Sequence, residues 1–231
     1  MLERSWDCFS LPPRAAFIIG YHFNFTKTPI FPLEYSNRGA GVAINEITMD
    51  QNFAPVSIVL AASAFAAHKH RDQRRKGADA SPYINHPIAV ANVLANEANI
   101  TDPAVLAAAL LHDTIEDTDT TAEELEAEFG PEIAAIVVEV TDDKALDKPV
   151  RKQLQIEHAA TLSRPAQLVK FADKICNIRD MSRSPPVDWS FERRVEYFAW
   201  AKQVVDQMRG VSPVLEKLFD AAFACQPVKP P

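Results

Sequence analysis

The chain has 231 residues, 47% of them hydrophobic and 24% charged, with a net charge of −7. That composition suits one globular domain with a sizeable core, and no apolar run approaches the roughly 20 residues a membrane span needs. The acidity argues against nucleic acid or an anionic membrane as the main partner, while leaving room for a small anionic substrate in a local positive pocket.

Residues 1–50 hold three of the six glycines (Gly20, Gly39, Gly41), several prolines and scattered aromatics without a sustained period. They read as an irregular extension. The start "MLERSWD" lacks the basic region and cleavage site of a secretory signal. Met49 directly precedes "DQNFAPVSIVLAASAFAAHKH", where helical patterning begins, and is expected to be the true start of translation. The folded domain is placed at 51–225, with a flexible tail at 226–231. Three widely spaced cysteines, Cys8, Cys176 and Cys225, imply no disulfide framework, and a reducing cytoplasm is the simplest compartment.

Within the domain the pattern predicts helix after helix. An alanine-rich helix at 55–71 leads into a basic loop at 72–85 containing Gly77 and Pro82. Pro87 suits the first turn of a helix running to about 98, where a missing N–H costs nothing. "TDPAVLAAALLHDTIED" opens on Thr101 or Asp102 as cap, again followed by proline. Thr121 and Glu124 form a capping-box pattern, and Gly130–Pro131 ends one helix and starts the next. Further helices are expected at about 148–162, 164–181, 190–209 and 212–223. There is no hairpin signal and no internal repeat, so the fold class is all-α.

Three segments concentrate chemistry. With His112 at zero and about 100° per residue, Glu116 falls near 40°, Asp113 near 100° and Asp117 near 140°. Ala104, Ala108, Leu111 and Ile115 occupy the opposite arc. In "QLVKFADKICNIRDM" (167–181), Asp173, Asn177, Lys170 and Asp180 share one stripe, and Leu168, Phe171, Ala172 and Ile175 the other. In "SPYINHPIAV" (81–90), His86 stands just before the helix-opening proline. Taken singly, an acidic surface helix, an ordinary amphipathic helix and a loop histidine account for each. Together, His86, His112, Asp113 and Asp173 make a mixed nitrogen and oxygen set suited to a divalent ion such as Mn²⁺ or Fe²⁺. This requires segments distant in sequence to meet in space.

The order H…HD…D on helices resembles the HD phosphohydrolase superfamily. "HKHRDQRRKGADASPYINHP", "ALLHDTIEDTDTT", "EVTDDK" and "LVKFADKICNIRD" are similar to the hydrolase domain of the RelA/SpoT family. The likeness covers about 54–223, without room for a synthetase domain, and so resembles the single-domain small alarmone hydrolases of the metazoan SpoT-like type. The glycine- and histidine-rich pattern of the HD-GYP phosphodiesterases is absent.

The resemblance implies a bundle of stacked helices around a central metal cleft. It implies one Mn²⁺ (or Fe²⁺ or another divalent ion) held by His86, His112, Asp113 and Asp173. It also implies hydrolysis of guanosine 3′,5′-bis-diphosphate (ppGpp) and its pentaphosphate relative, releasing pyrophosphate from the 3′ position. Glu116 and Asp117 match the family's ED pair, expected to deprotonate water and shuttle a proton, or only to offset the metal's charge. Arg75 and Lys76 are read as a phosphate or guanine clamp, with a solvated surface or a nucleic-acid patch as the competing readings. Asn177 matches a residue near the ribose. Arg193 and Tyr197, at i and i+4, offer a cation and a ring to the same cleft, or pack helices. His68, His70 and His158 are left as structural or surface residues, and Cys176 as core. The rival enzyme reading is a phosphatase of another phosphorylated nucleotide, such as the 2′-phosphate of NADPH. A non-catalytic alarmone sensor should tolerate loss of the ED pair, whose presence favours an enzyme.

Overall fold

A computed structural model describes residues 54–228. The expected extension at 1–50, the Met49 start and residues 229–231 of the tail lie outside the described residues. Helices, short turns and two isolated bridge pairs, Arg74 with Pro82 and Gly77 with Pro186, account for the regular structure among them.

The first helix, α1 (Ala54–Lys69), is followed by the basic loop and then by α2 (Asn85–Asn92), which carries Pro87 in its first turn and widens into a π turn at Val93–Glu97. Next comes α3 (Pro103–Leu111), where Asp102 accepts a hydrogen bond from the Ala104 N–H at 2.9 Å and Pro103 needs no partner. A one-turn helix, α4 (Thr114–Asp117), leads to α5 (Ala122–Phe129), capped by Thr121, which accepts from the Glu124 N–H at 3.2 Å. Gly130, at φ 85°, takes the left-handed turn that separates α5 from α6 (Pro131–Val140). The remaining elements are α7 (Lys148–His158) with a short 3₁₀ turn at Ala159–Thr161, α8 (Arg164–Arg183), α9 (Phe191–Asp206) and α10 (Pro213–Phe223). Ser163, Ser190 and Ser212 cap the last three through their side chains.

Two helices organise the core. α3 packs against α1, α2, α6 and α8, and α8 packs against α2, α3, α6, α9 and α10. The α3 sequence "PAVLAAALL" is apolar on every side, which commits it to the interior. Val105 and every residue from Ala107 to Leu111 are buried, and Ala62 and Ala66 of α1 close against this helix. Burial thus goes well beyond the single apolar arc that the periodicity indicated.

The larger correction concerns continuity. The expected helix through 102–117 is broken at His112–Asp113, because Asp113 leaves helical geometry at φ −98°, ψ −1°. The freed carbonyls at the end of α3 are taken up locally. His112 Nδ1 lies 2.8 Å from the Ala109 oxygen, and the Thr114 hydroxyl donates to Leu111 at 2.7 Å. Thr114 is therefore fully buried, and the angular positions projected for Asp113, Glu116 and Asp117 do not carry across the break.

Candidate metal centre and active-site cleft

His86 at the start of α2, His112 and Asp113 at the α3–α4 break, and Asp173 midway along α8 meet at the floor of one cleft. His86 Nε2 is 3.0 Å from Asp173 Oδ1 and 3.8 Å from Asp113 Oδ2. His112 Nε2 is 3.1 Å from Asp113 Oδ2 and 3.8 Å from Asp173 Oδ1. On an intact helix, neighbours such as His112 and Asp113 diverge by about 100°. The break turns both inward.

This donor set fits a divalent cation on an observation independent of its composition. A carbonyl oxygen can only accept, so the Ala109 contact assigns the proton of a neutral His112 to Nδ1. That leaves the Nε2 lone pair facing two carboxylate oxygens. His112 Nε2 is buried and makes no aligned hydrogen bond, despite an acid oxygen at 3.1 Å. Lone pair against anion is repulsive unless a positive charge lies between them. Without an ion, a proton is the substitute. Burial alone would keep His112 neutral, yet Asp113 and Asp173 hold its pKa well above the usual histidine range. Burial likewise works against ionisation of Asp113 and Asp173, but His112 beside the first and Lys174 beside the second keep both far below the usual carboxylate range. His86 moves the other way, lowered chiefly by burial, and so stays a neutral donor.

Around this centre the expected residues are placed as follows. Glu116 and Asp117 of α4 line the same cleft, whose volume is about 180 Å³. Glu116 Oε2 receives the Asp142 N–H at 3.4 Å, and Oε1 lies 3.5 Å from Arg151. Its carboxyl is pushed up to about 7, first by burial and then by Asp142, Asp113 and Asp117. Asp117 pairs with Lys144, and its backbone oxygen accepts from Gln73. Arg75 is held by Asn177 Oδ1 at 3.0 Å and Asp180 Oδ2 at 2.7 Å, so loop and α8 are joined where the cleft opens outward. Lys76, Asn177 and Tyr197 line that outer part together with Arg75. Arg193 does not. Its guanidinium stacks over Trp189 at 4.2 Å, in a separate surface hollow beside Lys148 and Lys152. His70 is buried against Tyr83, while His68 and His158 are exposed. Cys176 is buried, with its thiol pushed up to about 12 by burial.

Several site residues had no role in the sequence reading. Tyr83 donates to Asp113 Oδ2 at 2.7 Å. Lys174 donates to Asp173 Oδ2 at 3.0 Å, and Lys170 to the Val140 carbonyl at 3.2 Å. Asp142 lines the floor. The signal was present, since "YINHP", "EVTDDK" and "ADK" each stood out as words. Lys170 shared the Asp173 stripe, but nothing in the spacing of Tyr83, Asp142 or Lys174 said that these polar groups turn inward.

Fold and site together define a helical hydrolase domain of the HD type. A family model described as "HD domain" matches residues 62–196, and the chain belongs to that family. Among its relatives, the guanosine-3′,5′-bis(diphosphate) 3′-pyrophosphohydrolase MESH1 of Xenopus tropicalis is 54% identical over 170 residues, covering 74% of this chain and 95% of the relative. The protein of the same name from Homo sapiens is 54% identical over 165 residues, covering 71% and 92%. A solved structure of a metazoan ortholog of SpoT that hydrolyzes ppGpp superposes with a TM-score of 0.71 at 50% identity, covering 73% of this chain and 94% of that one. The all-α bundle expected from the motifs is the fold observed. Among the described residues no helix is long and apolar enough to cross a membrane.

Proposed function

We propose that this protein is a metal-dependent 3′-pyrophosphohydrolase of guanosine 3′,5′-bis(diphosphate) and its pentaphosphate relative, with GDP or GTP and pyrophosphate as products. The observation that carries the reading is the HD…ED cleft itself. Four donors converge from three segments, with an acid beside them near neutral pKa, in a chain that matches named ppGpp hydrolases over nearly their whole length.

His86, His112, Asp113 and Asp173 would hold Mn²⁺. Bound there, the ion would supply Lewis-acid charge for the phosphate and lower the pKa of a water. Glu116, as carboxylate, accepts the proton that water loses on attacking the phosphorus nearest the ribose, and its pKa of about 7 allows it to return the proton to the leaving 3′ oxygen. Asp117 is anchored by Lys144 and Gln73 and supports Glu116 from the next position of α4. Arg75, pre-set by Asn177 and Asp180, offers a planar cation to phosphate or to the guanine face, and Tyr197 gives the outer wall a ring. Lys76 adds a mobile charge at the rim. Arg193, stacked on Trp189, is left to contacts at the periphery.

The test is metal removal followed by Mn²⁺ addition, with ppGpp and NADPH offered separately. Metal-dependent GDP and pyrophosphate support the proposal. Orthophosphate from NADPH with ppGpp left intact refutes it in favour of the monoesterase reading. Binding of ppGpp without turnover of either compound refutes it in favour of a sensor.

A further inference from the structure

Asp173 presents its two oxygens to different worlds. Oδ1 faces the metal side, 3.0 Å from His86 Nε2, and also receives the Asn177 amide at 2.6 Å. Oδ2 turns away and accepts from Lys174 Nζ at 3.0 Å. Lys174 is 4% exposed, an unusual depth for a lysine, and the other side of its ammonium rests on the Trp200 ring, 4.7 Å from the centroid. Trp200 is itself fixed, because its indole N–H donates to the Lys152 carbonyl of α7 at 3.0 Å. An unbroken line of contacts therefore runs from the α7 backbone through a ring on α9 and a cation on α8 to one carboxylate of the metal centre.

We propose that Lys174 and Trp200 are positioning residues that hold Asp173 with Oδ1 toward the ion, Trp200 acting through Lys174. The inference rests on reading the four side chains as a metal site, and goes beyond it by assigning part of the affinity to residues that touch no ion. A carboxylate carrying one ligand oxygen can rotate, and the bond from Lys174 to Oδ2 removes that freedom. Partners of this kind are worth about 10- to 100-fold in metal affinity.

Charge makes the test sharp. Removing an ammonium from beside a cation site should by itself tighten cation binding, whereas losing a positioning bond should weaken it. Free Mn²⁺ is measured by electron paramagnetic resonance during titration of the full-length protein, with circular dichroism on each variant. Lys174→Met is expected to weaken Mn²⁺ binding by about 10- to 100-fold and to broaden the bound-ion spectrum, with Lys174→Arg restoring most of the affinity. Trp200→Leu, which changes no charge, is expected to weaken binding in the same direction by a smaller factor, and Trp200→Phe to preserve it. Tighter or unchanged binding in Lys174→Met overturns the proposal, and a raised KM for ppGpp beside it makes Lys174 a substrate contact. If Lys174→Met fails to fold, Trp200→Leu decides, and unchanged affinity there overturns the relay. Failure of the unaltered protein to bind Mn²⁺ overturns the metal reading itself, a result distinct from all of these.

Discussion

Replacing Asp142 by asparagine is expected to extend activity to lower pH. In the proposed mechanism Glu116 must be ionised to act as base, so the rate should fall as pH drops through its pKa. That pKa stands at about 7 instead of 4.5, a rise of about 2.5 units, with burial the largest cause and Asp142 the largest charge. The Asp142 contact that opposes the rise comes from its backbone N–H, which the variant keeps. Removing the side-chain charge should take back about one unit of the rise, or a factor of about ten in proton affinity. A bound cation displaces both profiles in the same direction, so the difference between them is the quantity to read. The assay is kcat/KM for ppGpp with saturating Mn²⁺ from about pH 4 to about pH 9, a range spanning the free and shifted carboxyl values. The acid limb should move down by about one unit in Asp142→Asn. A limb that stays in place or moves up would refute the claim that Asp142 sets the base.

Glu116→Gln should lower kcat by about 10²- to 10⁴-fold while Mn²⁺ affinity, read by calorimetry, stays within a few-fold of the parent. Gly77→Ala should raise KM by roughly tenfold, the worth of about one charge-assisted hydrogen bond. A Cβ at Gly77 would come 2.7 Å from the Ser184 carbonyl oxygen and 2.8 Å from its hydroxyl, forcing the Arg75 loop off α8. Steady-state kinetics with an unshifted KM would show that the loop absorbs the clash. Phe171→Ala should cost about 3–5 kcal/mol of stability in urea unfolding, since Phe171 is fully buried with its ring edge-on to Phe219 at 6.2 Å.

How far the sequence could be read depended on whether a segment stayed regular. Along α8, one uninterrupted helix, the projected stripe of Lys170, Asp173, Asn177 and Asp180 is the stripe that faces the cleft and the Arg75 loop. The helix starts at Asp102, Thr121 and Gly130–Pro131 were legible because a cap or a proline acts within one turn of itself. The break at His112–Asp113 was not, since "LLHDTIED" contains no glycine or proline to announce it. Burial of Lys170 and Lys174 was also illegible. A lysine defaults to solvent, and only partners on other elements, the Val140 carbonyl and the Asp173 carboxylate, make the interior tolerable. Arg193 shows the opposite failure. Spacing put it on the same turn-to-turn line as Tyr197, but the nearby ring of Trp189 draws it into another hollow.

That unannounced break is where fold and chemistry depend on each other. α3 is apolar enough to sit at the centre of the bundle, so its C-terminus delivers whatever follows to the deepest point available. An uninterrupted helix would carry one of His112 and Asp113 away from the cleft. Ending the helix at Leu111 aims both inward, at the cost of carbonyls that need new donors. His112 Nδ1 and the Thr114 hydroxyl supply them, at 2.8 and 2.7 Å. The bond that satisfies the Ala109 carbonyl also fixes the tautomer that leaves the His112 Nε2 lone pair open to a cation. One hydrogen bond therefore serves helix termination and the proposed metal site at once. The restart at Thr114 then sets Glu116 one turn beyond the proposed ligands, against the Asp142 backbone, where burial and neighbouring acids bring its carboxyl to about 7, the value the proposed proton exchange needs.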